Sequence, residues 1–129
     1  MSGAGQFGVR IRDLTGGAEE GIVEEVRGFA SPEDAVEFAR RYVRDSVERC
    51  RAPGLSSRDV VEAWFQFGED AEILELRPGQ PAEVVDAEHG GWSSEGVVAF
   101  FAEEPAEAEE RDWRALDPRR RPRAEEPGA

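Results

Sequence analysis

The sequence contains no lysine, one cysteine and one histidine among its 129 residues. Because Cys50 is the only cysteine, the chain can form neither an internal disulfide nor a thiolate cluster. A zinc site around His89 would need carboxylates or a second chain to complete its ligand set. The glycine pairs also lack the residues that follow them in phosphate-binding loops. We therefore expect a protein that is not an enzyme and that binds no cofactor.

Long hydrophobic runs are also absent. No apolar stretch approaches the roughly 18 residues that a membrane-spanning helix needs. The first eight residues have neither the basic nor the apolar segment of a secretory signal peptide. These features predict a cytoplasmic location and no contact with a membrane.

The charge is strongly one-sided, with 29 acidic residues, 16 basic residues and a formal net charge of -13. Such a chain is repelled by phosphate backbones, so we expect no direct binding to nucleic acid. A basic partner protein is favoured instead. The basic residues are all arginine, which is also typical of a GC-rich coding sequence, so the acidity is either functional or compositional.

Local patterns predict two strands followed by two helices. Residues 7–14 have the alternation of a half-buried strand. Residues 22–29 alternate less regularly but are expected to form a second strand that pairs with the first in a hairpin. Ser31-Pro32 begins a long helix that ends before Pro53-Gly54. Residues 56–67 predict a shorter helix, ended by Gly68 in a left-handed conformation. A rival interpretation makes residues 62–67 a strand, because aromatic residues also favour sheets.

Three further strands are predicted at residues 71–77, 82–88 and 96–102. The last of these is an uninterrupted apolar run, so both of its faces need cover. The long helix can cover one face. The other needs the short helix, the C-terminal segment, a second copy in a homo-oligomer, or a partner. Phe100 and Phe101 are therefore candidate partner-binding residues.

The predicted fold class is α+β, with a mixed or antiparallel sheet of about five strands and one long and one short helix in the order ββααβββ. Residues 1–104 are expected to form a single domain. Residues 105–117, bounded by prolines, predict a helical docking segment. Residues 118–129 are rich in proline and arginine and predict a disordered tail.

Two sets of side chains are candidates for a site. Trp113 and Leu116 lie three residues apart among charged residues, as do the anchors of a helix that docks into a groove on a partner or on this chain itself. Asp86, Glu88 and His89 carry groups that bind metals or transfer protons. Their spacing matches no known metal motif, and in so acidic a chain such proximity is expected by chance, so a solvated loop is the favoured explanation.

Three functions remain open at this point. The first is a non-catalytic interaction module, such as an adaptor, an immunity-type protein or an accessory subunit, which binds another protein. The second is an acidic nucleic-acid mimic that inhibits a DNA- or RNA-binding protein. The third is a small metal-binding protein or enzyme that uses Asp86, Glu88 and His89.

Overall fold

The computed structural model describes residues 6–15, 21–85 and 92–120. In these residues the fold is α+β, with a four-stranded antiparallel sheet in the order β2-β1-β3-β4 and three α-helices. The elements are β1 (Phe7–Asp13), β2 (Ile22–Phe29), α1 (Pro32–Arg49), α2 (Ser57–Phe67), β3 (Glu69–Glu75), β4 (Glu83–Val84) and α3 (Glu95–Glu103).

The central strand β1 pairs with β2 on one side and with β3 on the other, so the predicted hairpin is confirmed. Val9 is paired with Val26 and with Ile73, and all three side chains are fully buried. The alternate residues point to the opposite face of the sheet. There Arg10 Nε lies 3.1 Å from Glu25 and Arg12 Nε lies 3.1 Å from Glu72. One face of the sheet therefore packs on the hydrophobic core, whereas the other is lined by ion pairs.

Both predicted helices are present, and both begin at the predicted serine caps. Ser31 Oγ accepts a hydrogen bond from Asp34 N at 3.1 Å, with Pro32 in the first turn. Ser56 and Asp59 form a reciprocal capping box at the start of α2. The buried residues of α1 recur at helical spacing and face the sheet: Ala35, Phe38, Ala39, Tyr42, Val43 and Val47.

The prediction of a strand at residues 96–102 is wrong, because this run lies within α3. A run that is apolar on every side fits a buried strand and a buried helix equally well. In α3, the buried residues Val98, Phe101 and Ala102 recur at helical spacing, and the helix packs against α1 and α2. Within the described ranges, the sheet therefore has four strands rather than about five.

The predicted end of α2 is correct in position and wrong in conformation. Gly68 has φ -87° and ψ -167°, an extended conformation that any residue can adopt. The glycine is required for another reason. A Cβ atom at Gly68 would lie within 2.8 Å of three atoms of the Trp64 indole, which is fully buried. Close packing of the ring on the backbone, rather than a left-handed turn, explains this glycine.

Three other boundaries differ from the prediction. β3 begins two residues earlier than expected, and β4 is only two residues long, so the predicted strand at 82–88 is largely wrong within the described residues. Residues 105–117 form two short 3₁₀ helices, Ala108–Arg111 and Arg114–Leu116, instead of one helix. Residues 118–120 form a turn, and the rest of the predicted tail lies outside the described residues.

Candidate interaction surface

The C-terminal segment 105–120 packs on this chain's own core. The Trp113 ring lies 4.8 Å from the Tyr42 ring and 5.8 Å from the Phe38 ring, centroid to centroid. Arg111 reinforces this contact, with Nη2 2.7 Å from Asp45 Oδ1. Leu116 also packs against the core cluster. The sequence left open whether Trp113 and Leu116 dock on a partner or on this chain itself. In the structure both residues pack against the core of their own chain.

The end of the same segment is held against β2. Arg119 donates hydrogen bonds to the buried Asp117 carboxylate, and its Nη1 lies 3.3 Å from Glu24 Oε1. Burial raises the pKa of Asp117, but the hydrogen bonds from the Arg119 side chain and backbone outweigh it, so the pKa lies below its usual value. Gly28 has φ +114°, and Pro118 packs where its side chain would be. Arg119 therefore acts as an internal anchor of the C-terminal segment.

Phe100 and Phe101, predicted together as partner-binding residues, have opposite environments. Phe101 is 5% exposed and lies under the Arg44 guanidinium, whose carbon is 4.6 Å from the ring centroid. Phe100 is 70% exposed and is the most exposed large hydrophobic residue in the described part of the chain. On α3 it is flanked by the exposed small residues Gly96 and Ala99. Of these two residues, only Phe100 is therefore placed to contact another molecule.

Arg51 fixes α3 to the end of α1, and nothing in the sequence pattern had indicated it. Its guanidinium donates to the backbone oxygens of Ala102 at 3.1 Å and Phe101 at 3.2 Å, which lie in the last turn of α3. Glu48 holds the same guanidinium at 2.8 Å and raises the pKa of Arg51. A cation at these carbonyls also suits the negative end of the helix dipole. The helix α3, which carries the exposed Phe100, is thus anchored to α1 at its C-terminal end.

A cleft of about 360 Å³ lies beside Phe100, between α1 and the segment that follows α3. Arg44 lies along this cleft, is 8% exposed, and has Nη2 3.5 Å from Glu110. Its Nη1 is buried and has no acceptor among the described residues. Because Nη1 is closed off from solvent, it is not a contact atom for a molecule in the cleft. The charged residues lining the cleft are Glu37, Arg40, Arg41, Arg44, Glu104, Glu107, Glu109 and Glu110.

The cleft is acidic, because its five carboxylates outnumber its three guanidinium groups. Two of those guanidinium groups share one carboxylate: Arg41 Nε lies 3.0 Å from Glu37, and Arg40 Nε lies 3.9 Å from the same residue. By contrast, the exposed side chains of Glu104 and Glu109 have no ion pair within the described residues. We call Phe100, Gly96 and Ala99 together with this cleft the α3 surface.

A second cleft, of about 280 Å³, lies between the C-terminal half of α1 and the end of α2. Its polar groups bond to one another: Tyr42 Oη donates to Glu69 Oε1 at 2.6 Å, and Glu69 N donates to Ser46 Oγ at 2.9 Å. Burial, followed by the Glu69 contact, raises the pKa of Tyr42, and burial raises the pKa of the Cys50 thiol. These groups join α1 to β3, and a protonated thiol is a poor nucleophile.

The polar candidates Asp86, Glu88 and His89 lie outside the described residues. Within the part of the chain that is described, no three His, Cys, Asp or Glu side chains converge on one point that could hold a metal ion. No helix in the same part is long and apolar enough to cross a bilayer.

Comparison with known proteins finds no matching family model, no similar curated protein and no similar solved structure. The function of this chain is therefore inferred from its own surface.

Proposed function

We propose that this chain is a non-catalytic interaction module that binds another protein through the α3 surface, with Phe100 as the central contact. The observation that carries this proposal is the 70% exposure of Phe100 on a helix whose opposite face is packed into the core. Removing an exposed phenylalanine side chain from water makes the free energy of binding to a partner more favourable. Aromatic residues are enriched at the centres of protein interfaces for this reason.

The rigidity of α3 supports the same proposal. Arg51 holds the C-terminal carbonyl groups of the helix, and Val98, Phe101 and Ala102 are buried beneath it. A partner that binds a preformed surface does not have to order it, so less conformational entropy is lost on association. Phe100 is therefore presented on a fixed scaffold rather than on a loose segment.

The nucleic-acid mimic is less favoured. A mimic needs free carboxylates arranged along one face as phosphates are. On the open face of the sheet, Glu25 and Glu72 are paired with Arg10 and Arg12, which interrupt the negative charge. The acidic residues of this face thus suit a charge-balanced surface better than a phosphate-like array.

Copurification from the native organism tests the proposal, with full-length wild type, Phe100→Ala and Phe67→Ala compared side by side. Phe67 is the matched control, because it is 64% exposed and lies on α2. We expect a stoichiometric partner with wild type and Phe67→Ala, and its loss with Phe100→Ala, read by mass spectrometry and native mass. Circular dichroism should show all three chains folded, since exposed substitutions change stability little.

Two outcomes would contradict the proposal. One is a stoichiometric partner that Phe100→Ala retains in full, which would place the interface elsewhere. The other is the recovery of every variant, wild type included, as a free monomer.

A further inference from the structure

We propose that the occupant of the α3 surface is a basic segment of the partner that places an arginine or lysine next to a large apolar side chain. This inference rests on the proposed function and adds to it the chemical class of the partner. It follows from two features that lie side by side, one apolar and one acidic.

The apolar feature is the exposed side of α3. Phe100 projects from it, and the neighbouring positions on the helix surface, Gly96 and Ala99, carry almost no side chain. Because these two residues are small, the helix surface beside the ring is open, and an added Cβ atom at Gly96 would meet nothing within 4 Å. A large apolar side chain of the partner can therefore lie against the ring there.

The acidic feature begins one turn further along the helix. Glu103 is the last residue of α3 and follows Phe100 by three residues, so it lies on the same side of the helix. Glu104 follows the helix in an extended conformation and lines the cleft together with Phe100. Glu109 faces the same cleft from the segment after α3. All three carboxylates are exposed and have no ion pair within the described part of the chain. A cationic side chain entering the cleft would meet the carboxylates of Glu104 and Glu109, which line it, while its aliphatic stem covers the Phe100 ring.

The arginines of the cleft do not cancel this charge. Arg41 is held by Glu37 and also donates to the backbone oxygen of Asp112 at 3.2 Å. Arg44 is nearly buried and faces Glu110. Arg40 shares Glu37 with Arg41, so the three guanidinium groups face two carboxylates, and Glu104, Glu107 and Glu109 leave the cleft with a net negative charge. The net charge of -13 further attracts a basic partner over long range.

The same charges disfavour the other occupants of the surface. A second copy of this chain would bring two acidic clefts together, and like charges across an interface are costly. The chain's own residues 121–129 carry two arginines and two glutamates, so this segment offers no net positive charge. A basic segment of a different protein is the complementary occupant.

The test uses fluorescein-labelled synthetic peptides and full-length protein, with affinity read by fluorescence anisotropy. One probe peptide combines arginine with leucine, and the other has glutamine in place of every arginine. The protein variants are Phe100→Ala, the double variant Glu104→Gln/Glu109→Gln and the control double variant Glu62→Gln/Glu83→Gln. Glu62 and Glu83 are exposed and lie on α2 and β4, so both double variants remove the same charge from different places.

We expect the arginine–leucine peptide to bind wild type and the control double variant equally. Binding should be at least about tenfold weaker for Phe100→Ala, and about fivefold weaker for Glu104→Gln/Glu109→Gln. The glutamine–leucine peptide should bind wild type at least about tenfold more weakly than the arginine peptide. Raising the salt concentration should weaken only the arginine peptide.

Three results would overturn the inference. The first is equal affinity of wild type for the two peptides, or no binding of either. The second is a dimeric native mass that Phe100→Ala abolishes, which would make a second copy the occupant. The third is tenfold tighter peptide binding by full-length Arg121→Gln/Arg123→Gln, which would mean that the tail fills the surface. In the first case, copurification that depends on Phe100 would still uphold the proposed function, so the two failures are distinguishable.

Discussion

Replacing Trp113 tests whether the C-terminal segment is part of the folded core. Its ring packs on Tyr42 and Phe38 and is partly buried. Truncating a fully buried tryptophan to alanine costs about 3–5 kcal/mol, and a half-buried ring should cost about half of that. We therefore expect Trp113→Ala to lower the free energy of unfolding by about 2 kcal/mol.

The polar contact of Trp113 changes this expectation little. Its Nε1 lies 3.4 Å from Asp45 Oδ2, which is a long hydrogen bond. When the indole is removed, Asp45 keeps Arg111 at 2.7 Å and Arg49 at 3.5 Å, so its carboxylate is not left unpaired. The lost stability should thus come from apolar and aromatic contacts.

Urea denaturation of the full-length chain, monitored by circular dichroism, measures the change in the free energy of unfolding. In thermal denaturation, the melting temperature should fall by about 8 °C. Phe67→Ala is the control, because it removes an aromatic ring that is largely in solvent. A loss below about 0.5 kcal/mol for Trp113→Ala would refute the packing argument. Such a result, combined with lost partner binding, would make Trp113 an anchor for another protein instead.

Two further predictions concern the packing at Gly68 and the acid sensitivity of Asp117. Gly68→Ala should lower the free energy of unfolding by about 3 kcal/mol, because the new Cβ overlaps the buried Trp64 indole. In the double variant with Trp64→Phe, part of the loss caused by Gly68→Ala should be recovered. If urea denaturation shows that the costs of the two substitutions simply add, the steric cause is contradicted. Asp117→Asn should cost about 1 kcal/mol at pH 7. Because Arg119 keeps the folded-state pKa of Asp117 below its unfolded value, this contribution is present above about pH 4 and is lost as the pH falls further. The two chains should therefore converge in stability as the pH falls below about 4, and a difference that stays constant as the pH is lowered would disprove the linkage.

The candidate surface could be predicted only in part. Phe100 and Phe101 were singled out because an apolar run needs cover on both sides, but the sequence does not say which ring faces outward. The helical conformation of α3 decides this, since adjacent residues are about 100° apart around a helix. The cleft beside Phe100 joins residues of α1 to residues some 60 positions later, as in the contact of Arg44 with Glu104. No local pattern carries that information.

The sequence by itself determined the elements that depend on neighbouring residues. Ser31-Pro32 and Ser56 set the starts of α1 and α2 because capping groups bond within one turn. Alternation set β1 because the side chains of a strand point to opposite faces. Tertiary structure alone decided the secondary structure of residues 95–103 and of the segment that carries Trp113. An all-apolar run and two short 3₁₀ turns have no strong local preference, so the surface they pack against selects their conformation.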